Sequence, residues 1–234
     1  MSERTWATIW EARQLDPERS SLLAQLMAAD GFDSGFGNVD EAAWLRYVGM
    51  VEDQLGIAPG SSVYEVGCGA GAFVYPLYQA GCPIGALDAS ETLLGYAARV
   101  MPNATLCRAE AAALDPSEPY DFVVSNGVFL YFPSLDYARG VLERMAKKAR
   151  RGLAVLDVPC LAKRSAAEQM RRGYLSEAEY EAKYRGLEHL YFDRGWFDAT
   201  LRELGFASVT IADQQIAGYA NGPYRFNVFA RREY

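Results

Sequence analysis

The chain has 234 residues, 50% of them hydrophobic, with 30 acidic against 23 basic residues and a formal net charge of −7. That is enough apolar material for one substantial core and few or no further domains, and an acidic surface that repels phosphate backbones argues against a nucleic-acid partner. No apolar run approaches membrane-spanning length, and the opening Met1-Ser2-Glu3-Arg4-Thr5-Trp6 lacks the basic-then-apolar order of a signal sequence. Four scattered cysteines (Cys68, Cys82, Cys107, Cys160) form no Cys-x-x-Cys pair. They read as small buried residues in a reducing cytoplasm. One histidine and no Cys/His cluster argue against a metal site.

The first elements are helical. Trp6, Ile9, Trp10 and Arg13 lie at helical spacing. Asp16-Pro17-Glu18 predicts a second helix, capped by aspartate with proline just inside. A glycine- and aromatic-rich loop follows, Asp30-Gly31-Phe32-Asp33-Ser34-Gly35-Phe36-Gly37-Asn38, of a composition suited to closing over a ligand. Residues 1–55 therefore read as an N-terminal helical lid.

The core is expected over residues 56–159. The apolar run Val63-Tyr64-Glu65-Val66 leads into Gly67-Cys68-Gly69-Ala70-Gly71-Ala72, glycines at alternate positions before a helix-like segment. Such a loop lets a ligand approach the backbone and faces it with the amides opening the next helix, which points to a nucleotide or nucleoside pocket. A second strand over residues 83–87 ends at Asp88, about twenty residues on, where an acid can accept bonds from ribose hydroxyls. Further strands are predicted over residues 104–108, 120–124 and 153–158, with helices between them, which implies a parallel sheet. Residues 160–195 form a helical insertion after the fifth strand. Ser176-Glu177-Ala178-Glu179 is a capping box, with Tyr180, Tyr184, Leu187 and Tyr191 following at helix-like spacing. An insertion there lies over the carboxyl ends of the strands and reads as a substrate cap. Residues 196–234 supply a last helix, stopped by Gly205, and two strands over residues 208–216 and 224–231. With no helix between them, those strands must be antiparallel.

Glu65-Val66-Gly67-Cys68-Gly69-Ala70-Gly71, Asp88, the segment Ala109-Glu110-Ala111 with Leu114, and Asp121-Phe122-Val123-Val124-Ser125-Asn126-Gly127-Val128 occur in the order of four family motifs. On these residues the chain resembles the class I S-adenosylmethionine-dependent methyltransferases, over roughly residues 59–158 and more loosely beyond. Alanine and glutamate stand where the family's third motif has glycine and aspartate. The resemblance implies an α/β, doubly wound, mostly parallel seven-stranded sheet with a C-terminal antiparallel hairpin, in one domain. It implies S-adenosylmethionine as cofactor and S-adenosylhomocysteine as product. It carries cofactor contacts onto Glu65, Gly67, Cys68, Gly69, Gly71, Asp88, Ala89, Glu110, Ala111, Ser125 and Gly127. Arg46, on the helix entering the core, is a candidate partner for the cofactor carboxylate.

The expected chemistry is methyl transfer to a small molecule, oxygen favoured over nitrogen, by a monomer or homodimer. A hydroxyl acceptor needs a base, and His189 is the candidate because it alone titrates near neutrality; an acid already ionised needs none. Tyr131, just after the fourth-strand motif, is the second catalytic candidate and also a substrate contact. Tyr191, Tyr219 and Arg225 complete the substrate set, Arg225 being suited to an acidic group. A nicotinamide-dependent oxidoreductase shares the glycine pattern and Asp88, but the terminal hairpin and single-domain length count against it. A non-catalytic methyltransferase-like binding protein is the third reading.

Overall fold

Strands and helices alternate through the computed structural model, which describes residues 5–32 and 39–233. Helices α1 (Trp6–Glu11), α2 (Leu22–Ala29) and α3 (Glu41–Leu55) precede β1 (Val63–Val66). Then come α4 (Val74–Gln79), β2 (Ile84–Asp88), α5 (Glu91–Val100), β3 (Thr105–Arg108), β4 (Tyr120–Asn126), α6 (Leu135–Lys148) and β5 (Ala149–Pro159). The insertion supplies α7 (Arg164–Gly173) and α8 (Glu177–Tyr184), and the chain continues with α9 (Arg194–Glu203), β6 (Ser208–Asp213) and β7 (Arg225–Arg231).

The seven strands form one sheet in the order β3-β2-β1-β4-β5-β7-β6. The first five are parallel, and β7 pairs antiparallel with both β5 and β6, so the hairpin's last strand is inserted into the sheet. The order reverses between β1 and β4, and a ligand crevice opens outside the carboxyl ends of strands at such a switch point. Every residue of β1 is buried, as expected of a strand covered on both faces. Asp40 caps α3 by accepting from the Ala43 amide (2.6 Å), Gly56 ends it at φ 75°, and Trp44, Tyr47, Val48, Val51 and Leu55 form its buried stripe. On the other face α6, capped by Ser134, buries Ala138, Val141, Leu142 and Met145. Each fully buried large side chain contributes about 1.5–3 kcal/mol relative to exposure.

Three local expectations fail for physical reasons. Arg13 lies beyond α1, which ends at Glu11. The second helix does not start at Asp16, whose carboxylate closes a turn onto the Glu18 amide (3.0 Å); Ser21 caps α2 instead. The helix begun by the Ser176 capping box stops at Tyr184, because Gly186 takes φ 72°, and Leu187 and Tyr191 lie outside it. Lys148, the last residue of α6, is a buried cation. It is 4% exposed, donates to the carbonyls of Asp115 and Glu118 (both 2.8 Å) and sits over the Tyr64 ring. Of the loop expected to close over the ligand, Asp33, Ser34, Gly35, Phe36, Gly37 and Asn38 lie outside the described residues.

Candidate active site

The turn after β1 is built so that carboxylates gather on its amides. Gly67 adopts φ 77°, and a Cβ there would lie 2.5 Å from a Val128 methyl, so only glycine fits. A Cβ on Gly69 would run into the Asp30 carboxylate. Asp30, at the end of α2, accepts from the Ala70 (2.6 Å) and Ala72 (3.0 Å) amides. Asp88, at the tip of β2, accepts from the Gly69 and Ser90 amides, both at 2.8 Å. Glu65 lies beneath, 2% exposed, with Oε2 lacking any hydrogen-bond partner. Burial raises the Asp30 carboxyl to about 7 against its amide bonds, with the Asp88 charge adding to the rise and Arg13 opposing it. Burial, then the Asp30 and Asp88 charges, pushes Glu65 well above the usual carboxylate range. Asp88 is raised for the same first reason, against its amide bonds. Burial and these carboxylates also push the Cys68 thiol well up, so it stays protonated and unreactive.

One cavity of about 1230 Å³ runs from this turn toward the insertion. Its far end carries opposite charge. Arg171 of α7 and Arg225 at the start of β7 both line it and are 5% and 4% exposed. Arg171 donates Nη2 to the Tyr191 hydroxyl (2.7 Å), and Arg225 donates Nη1 to the Asp157 carbonyl (3.2 Å). Asp157 sits at φ 57° where the β5–β7 register shifts, an unfavourable conformation for a residue with a Cβ. Its amide donates to Asn227 Oδ1 (2.9 Å), and its carboxylate accepts from the Tyr219 hydroxyl (2.8 Å). Strain of this kind is characteristic of functional sites.

Aromatic rings wall the same end. His189 stacks on Trp6 (5.1 Å between ring centroids) and meets Tyr131 edge-on (5.8 Å). Burial, then the Arg225 and Arg171 charges, holds His189 well below the ordinary histidine range. The ring is neutral near pH 7, and a proton there would add a third cation beside two guanidiniums. Burial raises Tyr131 above the usual phenol range, and Asp157 adds to the rise against Arg225. Its hydroxyl is a donor, not a base. Helix α1 roofs the cavity. Trp6 Nε1 donates to the Glu188 carbonyl (3.5 Å), and the Glu11 carboxylate at the other end accepts from the Thr92 hydroxyl (2.7 Å).

A family model described as a methyltransferase domain matches residues 63–154. The match covers this core, from β1 into β5. No curated protein sequence matches the chain significantly. Among solved structures, magnesium protoporphyrin IX methyltransferase (ChlM) from Synechocystis PCC 6803 with bound S-adenosylhomocysteine is 21% identical, covering 88% of this chain and 96% of that one at TM-score 0.61. The N-methyltransferase NodS from Bradyrhizobium japonicum WM9 is 16% identical, covering 84% and 100% at TM-score 0.60. DesVI from Streptomyces venezuelae is 13% identical, covering 82% and 91% at TM-score 0.59. At these identities the likeness is one of fold.

The cavity brings together most of the residues expected from the sequence. Glu65, Gly67, Cys68, Gly69, Asp88, Ala89, Glu110, Ala111 and Gly127 line it, as do Tyr131, His189, Tyr219 and Arg225. Four expected residues do not. Arg46 is exposed on the outer face of α3. Gly71 packs toward Met101. Ser125 is fully buried and donates to the Val66 carbonyl (2.9 Å), tying β4 to β1. Tyr191 stands behind Arg171, outside the lining. Asp30, Arg13, Asp157 and Arg171 were missed. An aspartate in the apolar run of β5 was the one local signal; the others meet the cavity only through the fold.

S-adenosylmethionine suits these residues. The orphaned Glu65 oxygen and the Asp30 carboxylate offer acceptors for its cationic end, and Asp88 retains lone pairs for ribose hydroxyls. A dinucleotide does not suit them. A pyrophosphate there would face the glycine turn and the helix after it, and the Asp30 carboxylate already sits on the Ala70 and Ala72 amides of that turn, so two like charges would meet. Among the described residues no group of three His, Cys, Asp or Glu is placed to hold a metal.

Proposed function

We propose that the chain is an active methyltransferase for a small molecule, transferring to oxygen in preference to nitrogen. The observation that carries this reading is the division of charge along one cavity, with Glu65, Asp30 and Asp88 at the glycine turn and Arg171 and Arg225 at the opposite end. Carboxylates favour a cationic cofactor. Buried guanidiniums attract an anionic oxygen acceptor, an attraction that a neutral amine lacks and an ammonium reverses.

When bound, S-adenosylmethionine supplies an activated methyl group on a sulfonium. The protein's part is positioning and exclusion of water. Asp88 orients the ribose, and Glu65 and Asp30 hold the cationic end. Glu110, exposed at the cavity mouth beside Ala111, borders the adenine. Tyr131 and His189 orient the acceptor, with Trp6 closing over them. Tyr219 keeps Asp157 in place beside Arg225. Residues 1–55 act as the lid and residues 160–195 as the acceptor cap. Buried Cys68, Cys82 and Cys160 and exposed Cys107 are all free thiols, in keeping with a cytoplasmic setting.

The test is turnover with methyl-labelled S-adenosylmethionine against acidic, phenolic and amine metabolites. Label is expected in an O-methyl product together with S-adenosylhomocysteine. Label in amines alone would contradict the oxygen preference. Cofactor binding without turnover on any class would favour the non-catalytic reading.

A further inference from the structure

We propose that the acceptor is a small carboxylic acid, bound as its monoanion between the Arg171 and Arg225 guanidiniums. This rests on the reading of the cavity as a methyl-transfer site and adds the chemical class of its second occupant.

The two guanidiniums belong to elements far apart in sequence, yet both face the same groups. Arg171 donates to the Tyr191 hydroxyl and lies over the Tyr184 ring, and its buried Nε has no hydrogen-bond partner. Arg225 gives Nη1 to a carbonyl, not to a carboxylate. Among the described residues neither has an acid within ion-pair distance. A guanidinium so enclosed is costly without a partner. Asp157 is the acidic group beside Arg225, and its carboxylate already accepts from Tyr219 and, at 3.4 Å, from Gln214. His189 is neutral and Tyr131 protonated, so neither changes the balance. Arg171 and Arg225 meet a single acid, Asp157, and Arg13 on the lid side adds a further cation beside Tyr131, so this end is net positive. A monoanion suits that balance, whereas a dianion such as a phosphate ester would meet twice the repulsion from Asp157. The planar guanidinium fork also suits a carboxylate. The Trp6, Tyr131, Tyr184 and His189 rings supply apolar faces for the body of the acid.

Benzoate, benzamide and phenylphosphonate serve as probes, titrated calorimetrically into the full chain saturated with S-adenosylhomocysteine. Benzoate is expected to bind at least about tenfold more tightly than its neutral isostere benzamide, and no more weakly than phenylphosphonate. Arg171→Met should abolish the preference over benzamide, and Arg171→Lys should restore part of it. Arg225→Met should act likewise; if it does not fold, the Arg171 pair carries the test, with thermal unfolding as the check on integrity. Absence of benzoate binding, equal binding of benzamide, tighter binding of phenylphosphonate, or a preference that survives Arg171→Met would each overturn the proposal. The S-adenosylhomocysteine titration is a separate readout. Its failure would overturn the methyltransferase reading, while intact cofactor binding without benzoate binding would overturn the carboxylate assignment alone.

Discussion

Asp30 and Asp88 divide the work of the glycine turn. Asp88 sits where an acid at the tip of a second strand was expected, and charge-assisted bonds to ribose are each worth about 1.5–3 kcal/mol. Asp88→Ala should therefore weaken S-adenosylmethionine binding about tenfold or more by calorimetry. Asp30 adds a pH dependence. With its carboxyl near 7, it is largely protonated below that pH and ionised above it. A cationic cofactor favours the ionised form, so affinity should rise as pH increases from about 6 to about 8, by up to about tenfold for one linked proton. Asp30→Asn should flatten that dependence. Affinity that is flat with pH in the unmodified protein would contradict the role. His189 has the opposite sign and a different window. It is neutral above a pKa held well below the ordinary value, so turnover should show no inflection from histidine near pH 6.5. His189→Ala should cost less than the roughly hundredfold expected for loss of a general base. A rate that climbs through that pH and collapses on His189→Ala would return the histidine to proton transfer.

At the scale of elements, α1 is the part that ties the two ends together. Its Trp6 reaches Glu188 of the insertion, and its Glu11 reaches Thr92 of α5. Trp6 also stacks on His189 and packs on Tyr131 (4.6 Å between centroids). Aromatic pairs contribute about 0.5–1.5 kcal/mol each. Trp6→Ala should thus raise the acceptor's Michaelis constant about tenfold and change S-adenosylhomocysteine affinity much less, as read by steady-state kinetics and calorimetry. The strands and the terminal hairpin were legible because their apolar runs are bounded by glycine and lack room for a crossover helix. Helix limits were less so. Proline after Asp16 suggested a helix start, but the Asp16 carboxylate satisfies a turn of its own. Regular tyrosine spacing suggested one helix from Tyr180 to Tyr191, but Gly186 breaks it, and Tyr191 turns to Arg171 instead.

For the molecule as a whole, motif order made the cofactor half readable, while the acceptor half was not. Glu65, Gly67 and Gly69 are neighbours in sequence and line the cavity together. Arg171, Asp157 and Arg225 come from an insertion, a bulged strand and the strand inserted last, so no local pattern joins them. Arg46 shows the converse: its position along the chain suggested the cofactor, but the buried stripe of α3 turns it outward. The central claim is that one cavity pairs an acidic cofactor end with a basic acceptor end. Calorimetric titration of the purified chain with S-adenosylhomocysteine and, separately, with NAD tests its cofactor half directly. Saturable binding of S-adenosylhomocysteine at one site, with no binding of NAD at millimolar concentration, is the predicted result, because the Asp30 carboxylate on the Ala70 and Ala72 amides would repel a pyrophosphate at the glycine turn. Binding of NAD, or no binding of S-adenosylhomocysteine, would contradict it.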